Sequence, residues 1–309
     1  MHFRFLVAAV LAAAILGGCG GSGGGSNNSG PAHIFVADGS NNRIVEVDDM
    51  TGAGWATFGS LGSGTGQFDV PTGIAFDSLG RIYICDYFND RIVRIDDING
   101  TNWTEFGTSG SGTGQFVQPY KIAIDALDRI YVTDSGNNRV VRFDDMNGSN
   151  WKTLGSSGSG TNQFSDPIGI AVAPNFQVYV SDFGNNRIVR MDDMNGSNWT
   201  TLGASGSGTG QFNAAVDISL DTHGHMLICD RSGRVVQTGL MNTTGWTELP
   251  MNLPQSAGYD GTKIYIVDQN DDVLTRVDSI AGDNLATFGS TGSGTDQFDS
   301  PVAVRVKHG

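Results

Sequence analysis

Asp38, Asp86, Asp134, Asp182 and Asp230 recur at a step of 48 residues, and Arg43, Arg91, Arg139 and Arg187 keep the same step behind them. Arg234 comes one residue early, and a sixth copy has Asp268 with Val273 in the arginine's slot. A carboxylate beside a guanidinium could serve acid–base catalysis. Six copies are too many for one active site. The pair is expected to buttress a turn between two strands instead.

Other residues with chemical potential are also repeated. The acidic pairs Asp48-Asp49, Asp96-Asp97, Asp144-Asp145 and Asp192-Asp193 each precede a turn with Asn or Gly. Carboxylates clustered with Asn oxygens can take Ca²⁺, but "DDMNGSN" (144–150) lacks the alternating spacing and distal Glu of a calcium loop. Turn formation accounts for it, so no cofactor is expected and calcium is the minor alternative. The Gly-rich "GSSGSGT" (155–161) continues as Asn162-Gln163-Phe164 without the Lys-Ser/Thr of a phosphate loop. Beyond Cys19, the cysteines are Cys85 and Cys229, each just before a repeated Asp where other copies place Ala37, Thr133, Ser181 or Val267. They read as free, buried small residues. Histidine occurs at 33, 223, 225 and 308 after the first few residues, in positions that read as a solvated strand start, a turn and the terminus. That is poor support for a His₃ zinc site, and no Ser/His/Asp arrangement emerges.

The elements that carry these residues are short strands. In the second copy, "GIAFD" (73–77), "RIYICD" (81–86), "RIVRID" (91–96) and "WTEFG" (103–107) are β-branched and aromatic runs. Asn99-Gly100, Asn147-Gly148 and Asn195-Gly196 fall between the third and fourth runs, as two-residue hairpins would require. The five tryptophans, 55, 103, 151, 199 and 246, share one repeat slot, which implies a common buried packing role. Four antiparallel strands repeated six times predict an all-β, six-bladed β-propeller. The array starts on a second strand, "HIFVAD" (33–38), and ends on a first strand, "PVAVRV" (301–306). The chain ends should therefore share one blade and close the ring. In such a ring Cys85 and Cys229 lie on opposite blades, too far apart for a disulfide.

The stretch "GTSGSGTGQFVQPYKIAIDALDRIYVTDSGNNRVVRFD" (107–144) resembles the NHL repeat family, and the resemblance extends over 33–309. The fifth and sixth copies depart: 235–262 lacks the GQF segment, and 271–273 reads Asp-Asp-Val where Asn-Asn-Arg is expected. The resemblance implies a propeller that senses or docks partners. It also admits a lyase or lactonase, whose relatives hold zinc with several channel histidines or use a channel glutamate. Glu46, Glu105 and Glu248 do not obviously supply the latter.

The chain divides into 1–18, 19–32 and 33–309. Arg4 and the apolar run 5–16 form a signal peptide too short for a typical span. Leu16-Gly17-Gly18-Cys19 resembles a bacterial lipobox, which implies lipidation at Cys19 and export to the cell envelope, outer membrane where the host has one. "GGSGGGSNNSG" (20–30) carries no apolar side chain and reads as a tether. A formal charge of −14, contributed mainly by Asp, argues against nucleic acid as a partner.

Departures from the repeat mark where specificity can reside. The turns after the repeated Asp vary as Tyr87-Phe88, Ser135-Gly136, Phe183-Gly184 and Arg231. Tyr120-Lys121 and Asp217 depart at the starts of the innermost strands. Tyr87, Phe88, Tyr120, Lys121, Phe183, Asp217 and Arg231 are thus the candidate site, expected as exposed aromatics beside a lone Lys and Asp. The favoured reading is a lipid-anchored, non-catalytic module for an envelope or extracellular protein or a small ligand. A metal-dependent envelope lyase or hydrolase is the alternative.

Overall fold

The computed structural model describes residues 32–221 and 223–308, so the leader, Cys19 and nearly all of the tether lie outside the described residues. Six four-stranded antiparallel sheets form the blades of a β-propeller. The second blade is typical, with strands Pro71–Phe76, Ile82–Asp86, Arg91–Ile95 and Thr104–Phe106 from the axis outward. The innermost strands Pro119–Ile124, Pro167–Val172, Ala215–Leu220, Pro254–Tyr259 and Pro301–His308 complete the ring, each beside the next.

Closure happens as expected. Pro301–His308 pairs antiparallel with Ala32–Asp38 along its whole length, from Ala32 opposite His308 to Asp38 opposite Pro301. The first blade is therefore built from both ends of the described chain, and Ala32–Asp38 gains the inner partner that it would otherwise lack. Every inner strand starts opposite the Asp that ends the second strand, as Pro71 does with Asp86 and Pro119 with Asp134. That end of the ring will be called the upper face. The Asp-Asp loops and the start of Ala32–Asp38 lie on the lower face.

The repeated Asp is a hub. Asp134, fully buried, accepts the Val117 N–H at 2.7 Å on one oxygen. Its other oxygen takes Asn137 Nδ2 at 2.9 Å and Arg139 Nε at 2.6 Å. Arg139 then donates to the carbonyls of Ser111 and Gln115, tying the glycine-rich connection to its own blade. The same set recurs around Asp38, Asp86 and Asp182. Asn138, at φ 54°, uses its side-chain oxygen to hold the Asp166 N–H of the next connection. Within five of the six connections a glutamine takes a glycine N–H, as Gln163 Oε1 does for Gly160 at 3.0 Å.

Two expectations need correction. The tryptophans are half-buried, not core residues. Trp151 lies 5.4 Å from Phe116 and Trp103 lies 5.5 Å from Phe68, ring centre to ring centre, while Arg139 and Arg91 sit over the indoles at 6.0 and 5.5 Å. The slot is a lid over the buried GQF phenylalanine, with a cation–π contact added. The Asn-Gly turns are not two-residue hairpins either: eight residues, 96–103, separate Ile95 from Thr104. Each loop is organised by its own acids. Asp145 accepts from Asn147 N, Ser149 N and Ser149 Oγ, while Asp144 takes Asn150 Nδ2 at 2.7 Å. These carboxylates are already committed to turn formation.

Cys85 and Cys229 are free thiols, fully buried, and burial pushes both far above the usual thiol range. They have the character of inert core residues.

Candidate functional site

The upper mouth of the channel is assembled from the variable turns and the second residues of the inner strands. The turn at 87–88 is fixed by Tyr87 N–H to Val70 O and Phe88 N–H to Asp69 O. That places the Tyr87 ring 4.7 Å from Phe88 and 5.5 Å from Tyr120, both edge-on. Phe88 remains 55% exposed. Further round the ring, the Arg231 guanidinium lies 5.6 Å above Phe183 and donates to Gln255 Oε1 at 3.0 Å. Tyr120 and Phe183 both pack against the buried cluster that contains Ile168 and Val216, so one apolar patch joins the third, fourth and fifth blades. Burial pushes the Tyr120 hydroxyl up to about 12, so it stays protonated at neutral pH.

Five of the seven expected residues therefore meet at this mouth: Tyr87, Phe88, Tyr120, Phe183 and Arg231. Lys121 and Asp217 do not lie exposed beside them. Both are buried below the mouth, as third residues of their inner strands. Six strands converge there so closely that a Cβ on Gly73 would stand 3.0 Å from the Lys121 Cα. Side chains at that level point into a closed channel.

Lys121 Nζ donates to Thr72 O at 3.0 Å and Val302 O at 2.6 Å, linking the third blade to the second and first. Burial lowers its pKa to about 8, with Asp217 opposing the shift. Asp217 accepts from Ser256 Oγ at 2.6 Å and Arg305 Nη1 at 3.2 Å. Burial alone would raise the Asp217 carboxyl, but Arg305 and Lys121 hold it below the usual range.

Gln255 and Arg305 were missed. Gln255 follows the shortened fifth unit, where repeat register is hardest to follow. Its amide nitrogen and Arg231 Nε are buried without a hydrogen-bond partner among the described residues, although Gln255 is only 1% exposed. The mouth thus holds two unspent donors beside its aromatic rings. Arg305 had a signal: its slot is occupied by Ala75, Ala123, Ala171, Ser219 and Gly258 in the other inner strands.

Among the described residues, His33, His223 and His225 do not gather in the channel. His33 Nδ1 lies 2.8 Å from Glu46 and 3.0 Å from Asp48, so its strand-start slot is bracketed by carboxylates rather than freely solvated. This is the one cluster with three metal-capable donors found among the described residues, and it is on the lower face. His225 Nδ1 pairs with Asp221 at 2.7 Å.

Comparison with known proteins agrees with the fold. Residues 116–143 and 164–191 match the model of the NHL repeat. A search of curated protein sequences found no match. Among solved structures, that of a nidogen/laminin complex superposes with a TM-score of 0.71 at 18% identity, covering 89% of this chain and 98% of that one. A streptogramin B lyase superposes at 0.54 with 15% identity, covering 73% of this chain and 70% of that one. A virginiamycin B lyase from Staphylococcus aureus gives 0.54 at 17% identity, covering 75% and 73%. At such identities these likenesses concern the fold alone. The chain is thus a six-bladed β-propeller whose third and fourth blades match the NHL repeat.

Proposed function

We propose that this chain is a lipid-anchored, non-catalytic docking module of the cell envelope, with the upper mouth as its binding face. The observation that carries the reading is the convergence of Tyr87, Tyr120, Phe183 and Arg231 from four successive blades, with Gln255 from the next. Half-exposed aromatic rings around an Arg, with donors still unused, suit an interface hot spot better than a reaction centre. A structurally similar propeller occurs in a nidogen/laminin complex, which adds support from analogy. The lyase reading has in its favour only a likeness of fold, and the described histidines are not grouped in the channel.

Lipidation at Cys19 would anchor the protein through the segment leading to Ala32, and Ala32 begins its strand on the lower face. That face carries the Asp-Asp loops, whose acids stay ionised: the Ser149 hydroxyl beside Asp145 holds its carboxyl below the usual range. An anionic lipid surface would repel them. The aromatic mouth would then face away from the membrane, towards partners.

The test compares two triple variants with wild type in pull-downs from envelope extracts. Tyr87→Ser, Tyr120→Ser and Phe183→Ser together should lose the proteins that wild type retains. Asp49→Asn, Asp97→Asn and Asp145→Asn together should keep them. Melting curves check that both sets are folded. Loss in the second set alone would place the working face on the other side. The anchor has its own check: Cys19→Ser should move the protein from the membrane to the soluble fraction, and continued membrane association would refute lipidation at that residue.

A further inference from the structure

A cavity of about 240 Å³ opens in the lower half of the channel, at the opposite end from the aromatic mouth. It exists because the fifth residue of most inner strands is small: Ala75, Ala123, Ala171 and Ser219 line it. Arg305 occupies the same position in the first blade and forms one wall. Polar backbone and the partly exposed apolar side chains of Phe76, Ile124, Val172, Leu220 and Val306 make up the rest of the lining.

Arg305 is only partly used by the protein. Its Nη1 donates to Val304 O at 2.8 Å, Ser256 Oγ at 3.0 Å and Asp217 Oδ2 at 3.2 Å. Nη2 reaches Asp217 Oδ1 only at 3.5 Å, and Nε has no hydrogen-bond partner among the described residues. The side-on edge of the guanidinium, Nε with Nη2, is therefore the part left for a ligand. A carboxylate matches that edge with two parallel hydrogen bonds.

Charge points the same way. The channel contains two cations, Lys121 and Arg305, against one carboxylate, Asp217. At the lower rim a further cation, Lys307, is engaged outside this count: its Nζ donates to Gly80 O at 2.8 Å and stands 5.9 Å from the centre of the Phe76 ring. One positive charge is thus uncompensated within the channel, in a chain whose formal charge is −14. A single excess charge suits a monoanion. The apolar side chains in the lining favour an occupant with an aliphatic part, which sulfate and phosphate lack. The volume corresponds to about eight waters at ~30 Å³ each, which limits the occupant to roughly ten heavy atoms.

We propose that this cavity binds a small monocarboxylate with a short aliphatic chain, its carboxylate on Arg305 and its chain against the alanines and the partly exposed Val172 and Leu220. The proposal stands apart from the docking face above it.

Isothermal titration of the full-length protein with hexanoate tests it, with hexanol and sulfate as the other probes. Hexanoate should saturate one site and raise the melting temperature, whereas hexanol and sulfate should bind at least about tenfold more weakly, the scale of a lost charge-assisted hydrogen bond. Arg305→Met should weaken hexanoate by a similar factor. Because that change also removes a partner from Asp217, Ala171→Leu is the second variant: it fills the cavity and leaves Arg305 in place. It should abolish hexanoate binding while the protein stays folded. Absence of saturable binding by wild type, unchanged affinity in folded Ala171→Leu, or sulfate binding as tightly as hexanoate would each overturn the proposal.

Discussion

Deleting residues 300–309 is expected to abolish the soluble, cooperatively melting protein. The strand Ala32–Asp38 would lose the partner it pairs with from end to end. Ile34, Phe35, Val36 and Ala37, now at most 2% exposed, would lose their cover, and the buried Val304 and Ala303 would be gone. Fully burying one such aliphatic side chain is worth about 1.5–3 kcal/mol, and domains have about 5–15 kcal/mol in total. The damage would also reach the axis. Lys121 would lose the Val302 carbonyl, and Asp217 would lose Arg305. The exposed strand edge would then invite pairing between molecules. Gel filtration and a near-ultraviolet thermal melt check this, and adding the peptide 299–309 should restore part of the folded signal. A truncated protein that stays monomeric with an unchanged melt would show that the ring does not depend on this pairing.

How far the sequence reveals such dependencies differs from residue to residue. The 48-residue step of Asp86, Asp134 and Asp182 made the blades and their closure visible, because each blade repeats the same local solution. A repeat slot says that five tryptophans share one role, but it does not say on which side of the sheet that role lies. Only packing against Phe68, Phe116 and their equivalents makes them lids rather than core. The variable turns bring Tyr87, Phe183 and Arg231, and the start of an inner strand brings Tyr120, to one face, since symmetry places equivalent positions together. Depth was not legible in the same way. Lys121 directly follows Tyr120 in sequence, yet one ring is at the mouth and the other residue's ammonium is sealed inside. That difference comes from convergence of six inner strands, a property of the closed ring and not of any single repeat. The part that Asp144 and Asp145 take in the turn likewise shows only in the hydrogen bonds that join their oxygens to Asn147, Ser149 and Asn150.

Asp134→Ala should cost about 3–5 kcal/mol, because it breaks a buried ion pair by removing one partner only. Asp134 is fully buried and serves three donors at once: the Val117 N–H, Asn137 Nδ2 and Arg139 Nε. Alanine leaves all three without their acceptor. Arg139 would keep its bonds to the carbonyls of Ser111 and Gln115 and its place over Trp151. Its charge would then be held inside a loop with no counterion. Relief would come from the guanidinium swinging to solvent, which frees the glycine-rich connection 107–118 and uncovers Phe116, now fully buried. Asn is the informative comparison, since Asp134→Asn keeps an oxygen for Val117 or Arg139 but turns the other acceptor into a donor facing Asn137 and Arg139. Both variants should fall, with alanine losing the packed loop and asparagine keeping more of it. Urea melts give the two free energies, and hydrogen exchange at Val117 reports whether its amide has lost protection. A loss under about 0.5 kcal/mol, the range of an ordinary surface substitution, would mean that the hub only decorates the turn. The matching experiment is Arg139→Met in the Asp134→Ala background. Removing the stranded cation should restore part of the lost stability, an outcome that a purely local packing role for Asp134 would not produce.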